Sequence, residues 1–186
     1  MNNISIRKAT KNDKSLIASV ISMAIGKEQI ISYCGIDYNN VLEELVCLDL
    51  SQYSYNNALI AEVDGTPAGA VIGYDGAELH NLRKTTLELI HNHTEKELSI
   101  TDETDASEFY LDSIAVLPEY RGMGIASKLI LTMNEIATKQ YNKPLGLLVD
   151  FENPKAERLY KSLGFERVEV KDFLGHKMWH LVKAQL

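Results

Sequence analysis

The chain has 186 residues, of which 45% are hydrophobic and 24% are charged, values close to those of ordinary soluble globular domains. This composition excludes a collagen, a low-complexity disordered chain and a disulfide scaffold, and the length predicts one domain over 1–186. Acidic residues outnumber basic ones by 26 to 19, so the net charge of −7 argues against nucleic acid as a partner and favours a cationic one.

Several signals bear on where the protein acts. No apolar run approaches the roughly 18 residues of a membrane span, and the chain opens without a signal-peptide pattern, so no membrane partner is predicted. Cys34 and Cys47 show neither metal nor redox spacing, which is typical of a reducing cytoplasm. His91 and His93 are two residues apart and cannot share a helix face, so we predict no metal site.

The spacing of apolar residues predicts the first part of the fold. A capping-box pattern at Thr10 to Asp13 begins the first helix and Gly26 ends it, while Asp64 and Gly65 form a strong hairpin signal. In chain order, the predicted elements are a strand at 4–6, a helix including 16–25, a helix at 40–48 and strands at 58–63 and 68–74.

The segment 77–108 is too long for a simple hairpin loop, and we interpret it as an insertion rather than a second domain. Its first half has a helical apolar face, made of Leu79, Leu82, Leu89 and Ile90. Its second half is predicted to be an acidic, mobile loop, with Asp102, Glu103, Asp105 and Glu108.

The second half of the chain alternates strands and helices. Asn153 and Pro154 form a good N-cap and first-turn pair for one of these helices, and Gly164 stands where a left-handed C-cap is expected. The predicted elements are a strand at 109–116, helices at 124–140 and 154–163 with a strand at 145–149 between them, and strands at 166–170 and 178–182.

A glycine-containing turn lies between the predicted strand 109–116 and the helix that follows it. Gly122 and Gly124 would let an anion approach the helix start, and Arg121 can add charge-assisted hydrogen bonds. The expected ligand is a phosphate or pyrophosphate. The alternative is that the two glycines only form a tight turn.

A dinucleotide-binding fold would place a related turn here, with a third glycine and an acid after the next strand. Asp150 could serve as that acid, but Ser127 occupies the third glycine position. The unit also comes late in the chain, after hairpin signals, and no second repeat follows. These features argue against a dinucleotide fold.

Two motifs resemble the GNAT superfamily of acetyl-CoA-dependent N-acyltransferases. Residues 121–126, RGMGIA, are similar to its R/Q-x-x-G-x-G/A signature, preceded by a strand, 111–118, that resembles the family's central strand. Residues 153–165, NPKAERLYKSLGF, resemble its N-x-x-A-x-x-L-Y-x-x-x-G-F helix. The resemblance implies an α/β (α+β) fold with a mixed, mostly antiparallel sheet of about seven strands flanked by helices. The insertion at 77–108 departs from the family's short hairpin between the third and fourth strands.

The resemblance also implies acetyl-CoA as cosubstrate. The fourth and fifth strands would splay after a bulge, and the pantetheine arm would bind backbone groups of Ile114, Ala115 and Val116. Asn153 is predicted to cap its helix and to contact the arm or an ordered water. The pyrophosphate would bind backbone groups at the turn, namely Arg121, Gly122, Met123, Gly124, Ile125, Ala126 and Ser127.

Two residues are candidates for proton transfer. The family places Tyr160 near the CoA sulfur, where a phenol can protonate the departing thiolate; without the family match, Tyr160 reads as a core aromatic. Asp112 is a carboxylate in an otherwise apolar strand, so burial would raise its pKa toward the operating pH, where a general base works best. The alternatives are an aspartate satisfied by local hydrogen bonds, or a water chain with no unique base.

The predicted function is an N-acetyltransferase that moves acetyl directly from acetyl-CoA to a primary amine of a small molecule or peptide. The acids at 102–108 could attract a cationic acceptor, and the final strands could pair between two copies to give a homodimer. The alternatives are a non-catalytic acyl-CoA-binding module and a dinucleotide-dependent oxidoreductase.

Overall fold

The computed structural model describes residues 3–184 and is built around one seven-stranded sheet. The strand order is β1-β2-β3-β4-β5-β7-β6, and β4 and β5 form a parallel pair while each other neighbouring pair is antiparallel. The mixed, mostly antiparallel sheet is confirmed, and it differs from the mostly parallel sheet of a dinucleotide-binding fold. The strands are β1 (Ile4–Lys8), β2 (Ala58–Val63), β3 (Thr66–Asp75), β4 (Phe109–Val116), β5 (Leu145–Asp150), β6 (Glu166–Phe173) and β7 (His176–Lys183).

Successive side chains of a strand point to opposite faces of the sheet. Because the strands carry apolar side chains on both faces, helices cover both. On β2, Leu59 and Ala61 join a core with α5 and α6, whereas Ala58 and Ile60 join a core with the other helices. No helix within residues 3–184 is both long and apolar enough to span a bilayer. The helices are α1 (Lys14–Ile25), α2 (Lys27–Cys34), α3 (Tyr38–Cys47), α4 (Leu79–Thr94), α5 (Ile125–Tyr141) and α6 (Pro154–Ser162).

Helix α2 is absent from the sequence prediction. Gly26 does end α1, with φ of 95°, but the chain starts a new helix at the next residue. Only Ile30 and Cys34 of α2 are buried, four residues apart on one face. Two apolar contacts make too narrow a stripe for periodicity to detect. The last two strands also extend beyond the predicted bounds.

The segment 77–108 contains the predicted helix, α4, but its acidic second half is not solvated throughout. Glu103 and Glu108 are 2% and 3% exposed. Glu103 forms an ion pair with Arg83 of α4, and Glu108 lies 2.8 Å from Nε2 of His180 on β7. The prediction was wrong for these two acids, because their buried partners are distant in the sequence. Asp102 and Asp105 are exposed, as expected.

A bulge in β4 determines where the site forms. The β3–β4 register pairs Ile72 with Ser113 and Gly73 with Leu111, so Asp112 has no partner on β3. On its other side, β4 pairs with β5 only as far as Leu111. Beyond that point the two strands separate, which confirms the splay that the resemblance implied. One edge of β4 then has no strand partner within residues 3–184.

Gly146 on β5 gives a direct test of the buried Glu108 contact. A methyl group added at Gly146 would overlap the Glu108 carboxylate, which is fixed by His180 and by the Thr104 hydroxyl at 2.7 Å. We expect Gly146→Ala to lower the free energy of unfolding by about 1–3 kcal/mol, the typical cost of overpacking. Urea denaturation measures this cost. In a Glu108→Ala background the cost should shrink, and equal costs in both backgrounds would refute the contact.

Candidate active site

Two adjoining cavities, of about 530 Å³ and about 340 Å³, meet at Tyr160 in the gap between β4 and β5. Their shared wall combines residues of α1, β4 and α6. A molecule in either cavity can therefore reach the same tyrosine. The shared residues are Met23, Ile114, Asn153, Ala156 and Tyr160.

The larger cavity ends at the start of α5. Gly122 and Gly124 have φ of 81° and 78°, and a Cβ at either position would meet no atom within 4 Å. Gly124 is the N-cap of α5 and provides no side-chain cap, so the first-turn amide groups remain free for a ligand. Open space, free N–H groups and the helix dipole together make a cradle suited to an anion.

Arg121 lies at the rim of this cradle. Its Nε donates a hydrogen bond of 3.1 Å to the carbonyl of Val116, which fixes the guanidinium close to the end of β4. A guanidinium held there adds positive charge to the helix start.

The predicted cofactor-binding residues come together around the larger cavity, with one exception. Met123 does not line it and instead packs against the core below α5. The lining residues from the prediction are Ile114, Ala115, Val116, Arg121, Gly122, Gly124, Ile125, Ala126, Ser127 and Asn153.

Asn153 caps α6 as predicted. Its Oδ1 accepts a hydrogen bond of 3.2 Å from the amide of Ala156, and Pro154 occupies the first turn. Because Asn153 lines both cavities, the cap also borders the junction at Tyr160.

Tyr160 is only 8% exposed, and its ring packs edge-on against Phe165 with the centroids 5.7 Å apart. Burial raises the pKa of Tyr160 to about 12, and no group within residues 3–184 hydrogen-bonds its hydroxyl. The hydroxyl is therefore a protonated donor at neutral pH and is free for a ligand at the cavity junction. The ring also belongs to the core, as expected of a core aromatic.

Asp112 lines the smaller cavity from the bulge in β4. Its surroundings raise the pKa of Asp112 to about 7, first through burial and then through the negative charge of Glu103. The Ser113 hydroxyl donates to Asp112 Oδ1 at 2.7 Å and opposes this rise. A carboxyl group with this pKa can exchange a proton at neutral pH.

Sequence reasoning missed the residues behind Asp112. Tyr74 lies 3.3 Å from Asp112 Oδ2, and its hydroxyl also lies 2.9 Å from Glu103 Oε1 and from Gln52 Nε2. A tyrosine in β3 and a glutamate in an acidic run carry no local signal that they meet. Only the strand pairing and the return of the chain after α4 bring them together.

Helices α1 and α2 and the β6–β7 hairpin form part of the wall of the smaller cavity, through Met23, Ala24, Ile25, Gln29, Phe173 and Leu174. Asp150 of β5 also lines this cavity. It was considered above as a ribose-binding acid, but it lies 2.8 Å from His176 Nδ1 and accepts a hydrogen bond from the Glu152 amide.

The chain matches known acetyltransferases in sequence and in structure. The model of the acetyltransferase (GNAT) family matches residues 36–165. A crystal structure of an acetyltransferase aligns with a TM-score of 0.81 and 34% identity, covering 96% of this chain and 98% of that one. An N-acetyltransferase from Staphylococcus aureus Mu50 aligns with a TM-score of 0.82 and 26% identity, covering 96% of this chain and 99% of that one.

Thialysine N-epsilon-acetyltransferase of Bos taurus is 41% identical over 76 residues, which are 41% of this chain and 42% of that protein. The chain thus matches less than half the length of this curated relative. The family match extends over more than half of the chain and includes the turn at the start of α5 and helix α6. The chain belongs to the GNAT family and is an acetyl-transferring enzyme.

Proposed function

We propose that this enzyme transfers acetyl from acetyl-CoA directly to a primary amine of a small molecule or peptide. The observation that carries the proposal is the meeting of two cavities at one buried hydroxyl, that of Tyr160, which has no hydrogen-bond partner among the described residues. Donor and acceptor could then be bound together, one in each cavity, with no acetylated residue between them.

The larger cavity fits acetyl-CoA. Its pyrophosphate would bind the N–H groups at the start of α5 beside Arg121, and its amide-bearing arm would follow the unpaired edge of β4. Acetyl-CoA supplies the acetyl group as a thioester. Tyr160 would then act as the proton donor and Asp112 as the proton acceptor.

In the reaction, a C–N bond forms to a neutral amine as the C–S bond breaks. Asp112 receives the proton that the nitrogen loses, and Tyr160 gives a proton to the sulfur. Proton exchange with solvent returns both residues to their starting states. The pKa values of about 7 and about 12 fit these roles, because a base must be ionised near neutral pH and an acid must stay protonated.

The smaller cavity favours a cationic acceptor through Asp112 and Asp150, two carboxylates in its wall. Glu103 and Glu108 do not serve this purpose, because Glu103 is buried in an ion pair with Arg83 and Glu108 is buried against His180. The relatives named for thialysine make the side-chain amine of an amino acid the first acceptor to test.

Calorimetry with acetyl-CoA and NADH, followed by thiol release across an amine panel, tests this function. The panel includes thialysine, a diamine, an aminoglycoside and a peptide with a free N-terminus. We expect acetyl-CoA binding, no NADH binding and turnover with at least one amine. Binding without turnover on any amine would support a non-catalytic acyl-CoA-binding module, and NADH binding alone would overturn the proposal.

Gly124→Ala tests the anion cradle against a matched control, Gly65→Ala. The two glycines have φ of 78° and 80°, and neither would place a Cβ within 4 Å of another atom. Both substitutions should therefore destabilise the fold by about 1–2 kcal/mol, the cost of a left-handed backbone with a side chain. Only Gly124→Ala should weaken CoA binding in calorimetry, because Gly65 lies in the β2–β3 turn. Equal CoA affinity of the two variants would contradict the cradle.

A further inference from the structure

A buried polar network lies behind Asp112, on the side away from the Tyr160 junction. Glu103 is its centre: Arg83 binds Glu103 Oε2, Gln52 donates to Oε1 at 2.9 Å, and the Tyr74 hydroxyl lies 2.9 Å from the same oxygen. The reaction described above uses none of these four residues. All four are nonetheless at most 6% exposed, so their arrangement is fixed by the fold.

The hydroxyl of Tyr74 has one proton and two acceptors. Gln52 Nε2 donates to its oxygen at 2.9 Å, while Glu103 Oε1 and Asp112 Oδ2 lie at 2.9 Å and 3.3 Å. A hydroxyl donates once, so it can satisfy only one of the two carboxylates at a time. The network therefore has two possible hydrogen-bond states.

In the first state Asp112 is ionised. The Tyr74 hydroxyl donates to Asp112 Oδ2, and Glu103 remains satisfied by Arg83 and Gln52. In the second state Asp112 is protonated and donates to the oxygen of Tyr74, whose own proton turns to Glu103 Oε1. The exchange brings one proton to Asp112 from the smaller cavity that it lines and rotates the O–H bond of Tyr74.

We propose that Glu103, held by Arg83 and joined to Asp112 through the Tyr74 hydroxyl, is a positioning residue that controls whether Asp112 carries a proton. As a statement about catalysis, this rests on the proposed function of Asp112 as the base. Glu103 touches neither cavity wall around Tyr160, so it acts on the reaction through Asp112.

The charges around Asp112 act in opposite directions. Glu103 raises the pKa of Asp112, whereas Arg83 and the hydrogen bonds from Ser113 and Tyr74 lower it. From the cavity side, the ionisable groups that share a wall with Asp112 are Asp150, His176, Tyr160 and Tyr110, and a small apolar cavity of about 90 Å³ on its other side adds Tyr33, Cys34 and Tyr53.

Glu103→Gln and Tyr74→Phe therefore make opposite predictions. Glu103→Gln removes the repelling charge, so the titration midpoint of Asp112 should fall by about one pH unit or more. Tyr74→Phe removes a hydrogen bond to the ionised carboxylate while keeping Glu103, so the midpoint should rise. A purely structural disturbance gives no reason for opposite signs.

The readout is the carboxyl ¹³C NMR shift of Asp112 in the free enzyme, assigned with Asp112→Asn. Asp102→Asn is the matched control, since Asp102 also binds Arg83, at 2.7 Å, but is half exposed and does not touch Tyr74. In Asp102→Asn, the titration midpoint of Asp112 should stay close to its value in the wild-type enzyme. An unchanged midpoint in Glu103→Gln, or shifts of the same sign in both network variants, would overturn the inference.

Loss of Glu103 leaves Arg83 without its buried partner, and Glu103→Gln could fail to fold. Tyr74→Phe then decides alone, and an unchanged midpoint in that variant overturns the inference. The pH dependence of kcat/KM separates this inference from the proposed function. If the NMR midpoint of Asp112 shifts as expected in the variants but the midpoint of the rise in kcat/KM with pH does not shift with it, the network is real and Asp112 is not the base.

Discussion

Tyr160→Phe is expected to lower kcat by about 10²- to 10⁴-fold, the usual contribution of a positioned general acid. Phenylalanine keeps the edge-on packing against Phe165 and removes only the hydroxyl at the cavity junction. Affinity for acetyl-CoA should change little, because the anion cradle lies at the start of α5. Steady-state kinetics with calorimetry on the same preparation measures both quantities.

Tyr141→Phe is the control for this experiment. Tyr141 is 44% exposed and lies at the end of α5, outside both cavity walls around Tyr160. The variant should keep wild-type turnover. If Tyr160→Phe also keeps full turnover at every pH, Tyr160 is a core aromatic and not the acid.

Asp112→Asn should lower kcat/KM by a similar factor above pH 7 and should change the shape of the pH profile. In wild type, the pKa of about 7 means that the ionised fraction of Asp112, and with it the rate, increases as pH rises through about 7 and levels off only above that value. Asparagine cannot ionise, so this rise of the rate with pH should disappear. Comparing both enzymes with the same amine removes the contribution of the amine's own ionisation. If kcat/KM of Asp112→Asn still rises with pH near pH 7, another group is the base.

The same substitution should not destabilise the fold at alkaline pH. The folded-state pKa of Asp112 lies above its ordinary value of 3.8, so between the two values the unfolded chain binds fewer protons than the folded one. Stability contributed by this group is therefore lost as pH rises from about 4 to about 7. Asp112→Asn avoids that loss, and we expect its thermal midpoint at pH 8 to equal or exceed that of wild type. A lower midpoint would mean that lost hydrogen bonds outweigh the removed charge.

The turn at the start of α5 was readable from sequence because its signal is local. Strand, glycine turn and helix follow one another, so Arg121, Gly122 and Gly124 had to meet the start of α5 once those elements formed. Met123 shows the limit of such reasoning, because a contiguous motif does not say which side chain faces the cavity and which faces the core.

The residues around Asp112 were not readable, because their contacts depend on topology. Gln52, Tyr74 and Glu103 come from three separate segments, and the sequence pattern of an acidic run is typical of a solvated loop. Burial of Glu103 depends on Arg83, 20 positions earlier. Sequence reasoning identified Asp112 as unusual, and the family resemblance implied a bulge before the splay. Neither placed Asp112 at that bulge or supplied the network behind it.

A single-turnover experiment tests direct transfer to an amine most directly. Enzyme is mixed with one equivalent of acetyl-CoA, first without and then with an amine that supports turnover, and the protein and amine are weighed by mass spectrometry. The account predicts an unmodified protein in both samples and, with amine present, one acetylated amine for each thiol released. Acetylated protein in the sample without amine, converted to free protein when amine is added, would contradict direct transfer.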